Sequence, residues 1–186
     1  MVYVFLATGC EEVEALSPVD VMRRAGIECE TVSISGEQVV QSSHNVGIVA
    51  DRILSEIDFT KADALVLPGG LPGATNLDAC EPLREGIMHC YQAGKLLAAI
   101  CAGPLVYGHL GILNGRRATC YPGFETELSG AIYTAVPVEV DGQFVTGFGP
   151  AAAWEFGYRI TEALGYGNKA KALREGMMYN KLVGID

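Results

Sequence analysis

Leu96-Leu97-Ala98-Ala99-Ile100 is an unbroken apolar run that ends on Cys101-Ala102-Gly103-Pro104. A run this short, set between Gly94 and Gly103, reads as a strand buried on both faces. Pro104 has a fixed φ and no N–H, which suits the first turn of a helix. Cys101 therefore falls at a sharp strand-to-helix turn. That is the geometry of a nucleophile elbow, with the side chain held at the end of a sheet above a helix N-terminus. The helix dipole and free N–H groups there favour thiolate over thiol. Most free cysteines are small buried hydrophobes. Here the strand, the cysteine and the small residues after it point to a reactive one.

The same pattern recurs along the chain. Val2–Ala7, Ile27–Ile34 and Ala62–Leu67 are further apolar runs that read as buried strands. Helical stretches follow them. Apolar residues at 13, 16, 19 and 22 have helical spacing, closed by Arg23, Arg24 and Gly26, with Pro18 implying a kink or fresh start. Pro82–Gln92, Leu105–Leu110, Ala151–Leu164 and Asn168–Glu175 are also predicted helices. Val39-Val40 and Gly47–Ala50 read as short extended pieces, Ile53–Ile57 as a turn of helix, and Ala118–Pro122 as a short strand entering a turn. Val136–Val140 and Gln143–Gly147, joined by Asp141-Gly142, form a hairpin with a type I′ turn. Alternating strands and helices of this kind predict an α/β fold with a mostly parallel sheet covered on both faces.

Ligands in such sheets bind beyond the carboxyl ends of the strands. Gly9–Glu14, Pro68–Gly73 and Cys101–Pro104 all lie there and can line one crevice. At 186 residues the chain is expected to be a single domain over 1–186. Its net charge of −9 argues against nucleic acid or an anionic membrane as partner. Val2–Thr8 lacks the basic flank of a signal peptide, and no apolar stretch is long enough to span a bilayer. Six scattered cysteines without a CxxC pair argue for reduced thiols in the cytoplasm, with no zinc or other metal site. Cys120 is the bystander most able to face the crevice. His89 and His109 fall within helices and read as structural or solvated.

Five segments taken together resemble the ThiJ/PfpI superfamily, most closely its branch named for the parkinsonism-associated protein deglycase. They are Glu11-Glu12-Val13-Glu14, Pro18–Gly26, Val66-Leu67-Pro68-Gly69-Gly70, Ala98–Pro104, and Gly149-Pro150 before a helix holding Glu155-Phe156. The resemblance implies a flavodoxin-like three-layer sandwich, usually a homodimer, with an oxidation-prone cysteine at the elbow. Carried over by motif, Cys101 is that cysteine. Glu14 looks like its partner, donating a hydrogen bond as a protonated carboxyl. Gly70 and Ala102 would supply backbone N–H groups as an oxyanion pocket. Arg24 and His44 fall near accessory positions beside the site, partly at the dimer interface, and His44 stands where many members have arginine. Two departures matter. Ala102 stands where other branches have the histidine of a protease-like triad. Tyr121 stands where the deglycase branch often has histidine before the proline, here Pro122.

A thiolate at an elbow is both nucleophile and redox target. A carboxyl beside it has a raised pKa, because burial and neighbouring negative charge disfavour ionisation. The implied function is a cofactor-independent stress-response enzyme acting on reactive carbonyls or glycated substrates, glyoxalase III or deglycase in type. The alternative is a redox sensor or chaperone-like protein whose Cys101 is oxidised to sulfinate without significant turnover. A third association, with thiazole monophosphate biosynthesis, has no phosphate-binding loop behind it.

Overall fold

A computed structural model describes residues 1–184. The main sheet has seven strands in the order β10-β11-β7-β6-β1-β2-β5. These are β1 (Val2–Leu6), β2 (Cys29–Ser33), β5 (Arg52–Ile53), β6 (Ala64–Leu67), β7 (Leu96–Ile100), β10 (Val138–Asp141) and β11 (Phe144–Gly147). All neighbours are parallel except β10 and β11. Two small pairs stand apart: β3 (Val39–Gln41) with β4 (Gly47–Val49), antiparallel, and β8 (Arg117–Ala118) with β9 (Ile132–Tyr133), parallel.

Alternate residues of each central strand feed opposite cores, as period 2 requires. Tyr3, Phe5, Leu65, Leu67, Leu97 and Ala99 face one way. They pack on α2 (Gly73–Asp78), α3 (Glu81–Gln92) and α4 (Pro104–His109). Val2, Val4, Ala64, Val66, Ala98 and Ile100 face the other way. They pack on α1 (Glu12–Arg24) and α5 (Ala153–Ala163). The result is the expected three-layer sandwich. Two further helices, α6 (Gly167–Gly176) and α7 (Tyr179–Leu182), follow α5. Arg174 holds α6 to α5, pairing with Glu155 and Glu162 and lying 4.6 Å over the Tyr158 ring. Among the described residues no helix is long and apolar enough to cross a membrane.

Four local expectations change. Helix α1 runs unbroken through Pro18. The cost of an interior proline is offset by packing: Pro18 is buried, and its Cα is so near α5 that a Cβ on Gly157 would come within 3.0 Å of it. The hairpin loop is Gly142-Gln143, one residue later than expected, because Asp141 pairs with Phe144. Only Gly142 (φ +60) has a positive φ there, the pattern of a type II′ turn. In the 118–122 stretch only Ala118 is in a strand. Cys120 is fully buried in the core under α4 and does not face the crevice.

Candidate functional site

Three turns meet at the carboxyl ends of β1, β6 and β7. Strand β7 ends at Ile100, and Cys101 takes φ +63, a left-handed conformation that a non-glycine residue adopts at a cost of about 1–3 kcal/mol. The turn is held by Cys101 N–H donating to Gly147 O at 2.9 Å and by Tyr121 N–H donating to Cys101 O at 2.9 Å. The elbow anticipated from the apolar run is therefore present, and its strain is local to the cysteine.

Glu14 comes from the first turn of α1. Glu11 caps that helix: its Oε2 accepts the Glu14 N–H at 2.7 Å. Glu11 N–H in turn donates to Gly69 O at 3.0 Å, tying the first turn to the second. The Glu14 side chain is fully buried. Its Oε2 accepts the Gly69 N–H at 2.9 Å. Its Oε1 is buried with no hydrogen-bond partner among the described residues. Cys101 Cβ and Glu14 Oε2 both lie within 3 Å of the point where a Gly69 Cβ would stand, which sets the cysteine beside the carboxyl.

Burial, with the Glu11 charge adding to it, pushes the Glu14 carboxyl up to about 7 against the pull of Cys101 and Gly69. Burial and the charge of Glu14 push the Cys101 thiol up to about 12, while the Gly70 and Ala102 N–H groups pull it down. The expected thiolate-favouring dipole is thus outweighed, since α4 is only 6 residues long and the cysteine is largely buried. With the thiol held that high, the first proton to leave the pair is that of Glu14, as pH rises through about 7. When Glu14 keeps the proton, the sulfur loses its repelling neighbour, and the orphaned Oε1 gains an O–H to donate.

The second turn supplies contacts that only glycines allow. Gly70 has φ +80, and a Cβ on it would meet Glu11 N at 2.5 Å. A Cβ on Gly69 would lie 2.6 Å from Cys101 Cβ, 2.8 Å from Ala102 N and 2.8 Å from Glu14 Oε2. In the sequence Gly69 stands out only as part of the Gly-Gly turn and Glu11 only as part of its motif, neither as a site residue. The Gly-Gly pair after β6 is the signal that points to close backbone approach.

The accessory residues divide. Tyr121 is half-exposed near the elbow, its ring 3.2 Å from where a Gly149 Cβ would stand. His44 lies on the loop between β3 and β4, its Nδ1 3.0 Å from Glu12 Oε1, with an exposed side chain. Glu11, Glu12 and His44 bring one potential ligand atom each within 4.8 Å of one another, but Glu11 and Glu12 already engage Glu14 N–H and His44 Nδ1. Within one copy of the chain, Arg24 does not reach the crevice. It sits in the last turn of α1, ten residues beyond Glu14 or about 15 Å along the axis, paired with Asp20 at 2.8 Å.

Of the six cysteines, Cys101 and Cys80 are partly exposed and the other four are buried. All six are free.

Comparison with known proteins agrees with this geometry. The DJ-1/PfpI family model matches residues 1–163. Protein DJ-1 homolog B of Arabidopsis thaliana is 41% identical over 162 residues, 86% of this chain, which spans 37% of that protein's length. The glutathione-independent glyoxalase DJR-1.2 of Caenorhabditis elegans is 31% identical over 165 residues, 88% of this chain and 87% of that protein. The solved structure of oxidized Toxoplasma gondii DJ-1 superposes with a TM-score of 0.91 at 33% identity, covering 95% of this chain and 97% of that one. With its three-layer fold, its cysteine elbow and a match over most of its length, this chain belongs to the DJ-1/PfpI family.

Proposed function

We propose that the protein converts glyoxals to hydroxy acids through Cys101 and Glu14, without an added cofactor. The observation that carries this reading is the buried Glu14 carboxyl with one orphaned oxygen beside a strained elbow cysteine. A glyoxalase relative of matching length supports it. In the case of methylglyoxal, the Glu14 carboxylate takes the Cys101 thiol proton as the sulfur bonds to the aldehyde carbon, and the carbonyl electron pair moves to oxygen. The N–H groups of Gly70 and Ala102 stabilise that oxyanion, and Glu14 delivers the proton that completes the hemithioacetal. Glu14 then removes the proton on the former aldehyde carbon and returns it at the neighbouring carbon, while the hydroxyl proton passes from the first oxygen to the second through the enediol. The product is a thioester of lactate. Water cleaves its C–S bond, releasing lactate and the free thiol. Methylglyoxal plus water gives lactate, so no external oxidant or reductant is consumed. Glycated thiols or amines would enter as preformed adducts of the same carbonyls.

The test measures methylglyoxal loss and lactate formation with wild type, Cys101→Ser and Glu14→Gln. Wild type should form lactate, and each variant should lose at least about a hundredfold, the usual contribution of a positioned acid–base group. No turnover above buffer in the wild type contradicts the reading.

A second reading, a redox sensor, rests on Cys101 being one of two partly exposed thiols and on a close structural relative solved in oxidized form. Two equivalents of peroxide would carry the thiol to sulfinate, releasing two waters, and a protonated Glu14 would hold the new oxygens. Titration with peroxide and intact-protein mass should show two oxygens on Cys101 before any on Cys80. Oxidation of Cys80 first defeats this reading.

The partner we propose is a second copy of the chain. Val13 and Leu16 on α1 and Val39, Val46 and Val49 around the β3–β4 hairpin are exposed. The Glu12–His44 pair joins those two elements. Six free thiols fit a reducing compartment such as the cytoplasm.

A further inference from the structure

His109 is the last residue of α4, the helix that leaves the Cys101 elbow. Its Nδ1 lies 2.7 Å from Asp78 Oδ2, at the end of α2, and its Nε2 lies 2.7 Å from Glu127 Oε2. Helix α2 is the one that follows the Gly69-Gly70 turn. A ring with a carboxylate at each nitrogen makes both bonds only as imidazolium, because neutral imidazole has a single N–H. The charged groups in contact are few. Asp78 also pairs through Oδ1 with Arg84 of α3, and Glu127 belongs to the short helical turn Glu125–Glu127. The position at a helix C-terminus adds further preference for a cation.

Glu127 is the far end of a loop whose near end is Tyr121. Tyr121 N–H donates to the carbonyl of Cys101. Between them the loop is braced by Phe124 N–H to Tyr121 O at 3.1 Å and Gly123 N–H to Glu125 Oε2 at 2.9 Å. Helix α4 lies directly on the far end: a Cβ on Gly108 would come within 1.9 Å of Glu127 O. The segment from 121 to 127 is thus tied to the elbow at one end and to His109 at the other.

We propose that His109 is a proton-dependent clasp that fastens the 121–127 loop, and with it Tyr121, beside the Cys101 site. Protonated, it joins α2, α4 and the loop. Deprotonated, it keeps one carboxylate and presents a lone pair to the other. The two carboxylates raise the His109 pKa above its ordinary 6.5. The stability it contributes is therefore complete below that ordinary value and is lost as pH rises through the raised one. The loop is fastened in acid and loosened in base.

Amide hydrogen exchange, corrected for intrinsic rates, tests this without reference to turnover. Protection of residues 121–128 in the wild type should fall roughly three- to tenfold between about pH 5.5 and pH 9, the size of one charge-assisted bond at a half-exposed site. Strands β1 and β7 should keep theirs. Glu127→Gln removes only the loop carboxylate that pairs with His109, leaving Glu125 in place, and should leave the segment weakly protected at both pH values. His109→Gln should do the same. Equal wild-type protection at the two pH values overturns the proposal. So does a fall that persists undiminished in Glu127→Gln, or one spread evenly over the chain.

Discussion

Glu14→Gln is expected to melt higher than wild type at pH 8 while forming almost no lactate. The folded carboxyl is raised from 4.5 to about 7. Between those values the folded chain holds the proton more tightly than the unfolded chain does. Wild-type stability therefore falls as pH rises through this window and levels off above it. At roughly 1.4 kcal/mol per pH unit the loss amounts to about 3 kcal/mol. Glutamine has no charge to bury, and its amide oxygen can still accept the Gly69 N–H. The variant should gain roughly 5–10 °C at pH 8 and match wild type near pH 4.5. Thermal unfolding at both pH values checks this, and equal melting at pH 8 contradicts it. The loss of activity follows from the same carboxyl, because among the described residues Glu14 is the acid that acts on the Cys101 thiol.

Gly69→Ala is expected to disable the site from the backbone. Its Cβ would sit under 3 Å from three components at once: the elbow cysteine, the Ala102 N–H and the Glu14 carboxyl. Two of these contacts are with atoms that cannot swing aside, so the turns must separate. Overpacking of this kind costs about 1–3 kcal/mol. A displacement near 1 Å between reacting groups costs roughly a hundredfold in rate. Gly69 has no positive φ, so the effect is one of space and not of backbone preference. Gly36→Ala, where a Cβ meets nothing within 4 Å, is the control and should leave both stability and rate near wild type. A Gly69→Ala variant with wild-type activity would mean that the three turns do not act as one unit.

What could be read from the sequence follows physical range. The buried strands β1, β6 and β7 were legible because a parallel sheet covered on both faces leaves short apolar runs with no polar punctuation. Cys101 was legible because its strand, small neighbours and Pro104 are contiguous. Glu14 was legible as a buried acid near the elbow, and its raised pKa follows from burial as expected, with Glu11 supplying part of the charge. What escaped depends on approach between distant segments. Gly69 matters because β6 delivers it against β7 and α1. Glu11 looked like any acid at a helix start until its bonds to Glu14 and Gly69 were seen. Helix α2 was hidden because Gly73-Ala74-Thr75-Asn76 has the composition of a loop. His109 read as a structural or solvated helix residue, with no partner named, because Asp78 and Glu127 lie 31 and 18 residues away in the chain. Arg24 was placed by resemblance alone, and within one copy of the chain it pairs with Asp20 away from the crevice.

The central claim is that Glu14 keeps its proton into the neutral range beside Cys101. The infrared difference spectrum of wild type minus Glu14→Gln reads that proton directly, since a protonated carboxyl and a carboxylate absorb apart. A carboxyl band that is present near pH 5 and titrates away with a midpoint of about 7 is the predicted result. A band already gone at pH 5 would show an ordinary ionised glutamate and contradict the account.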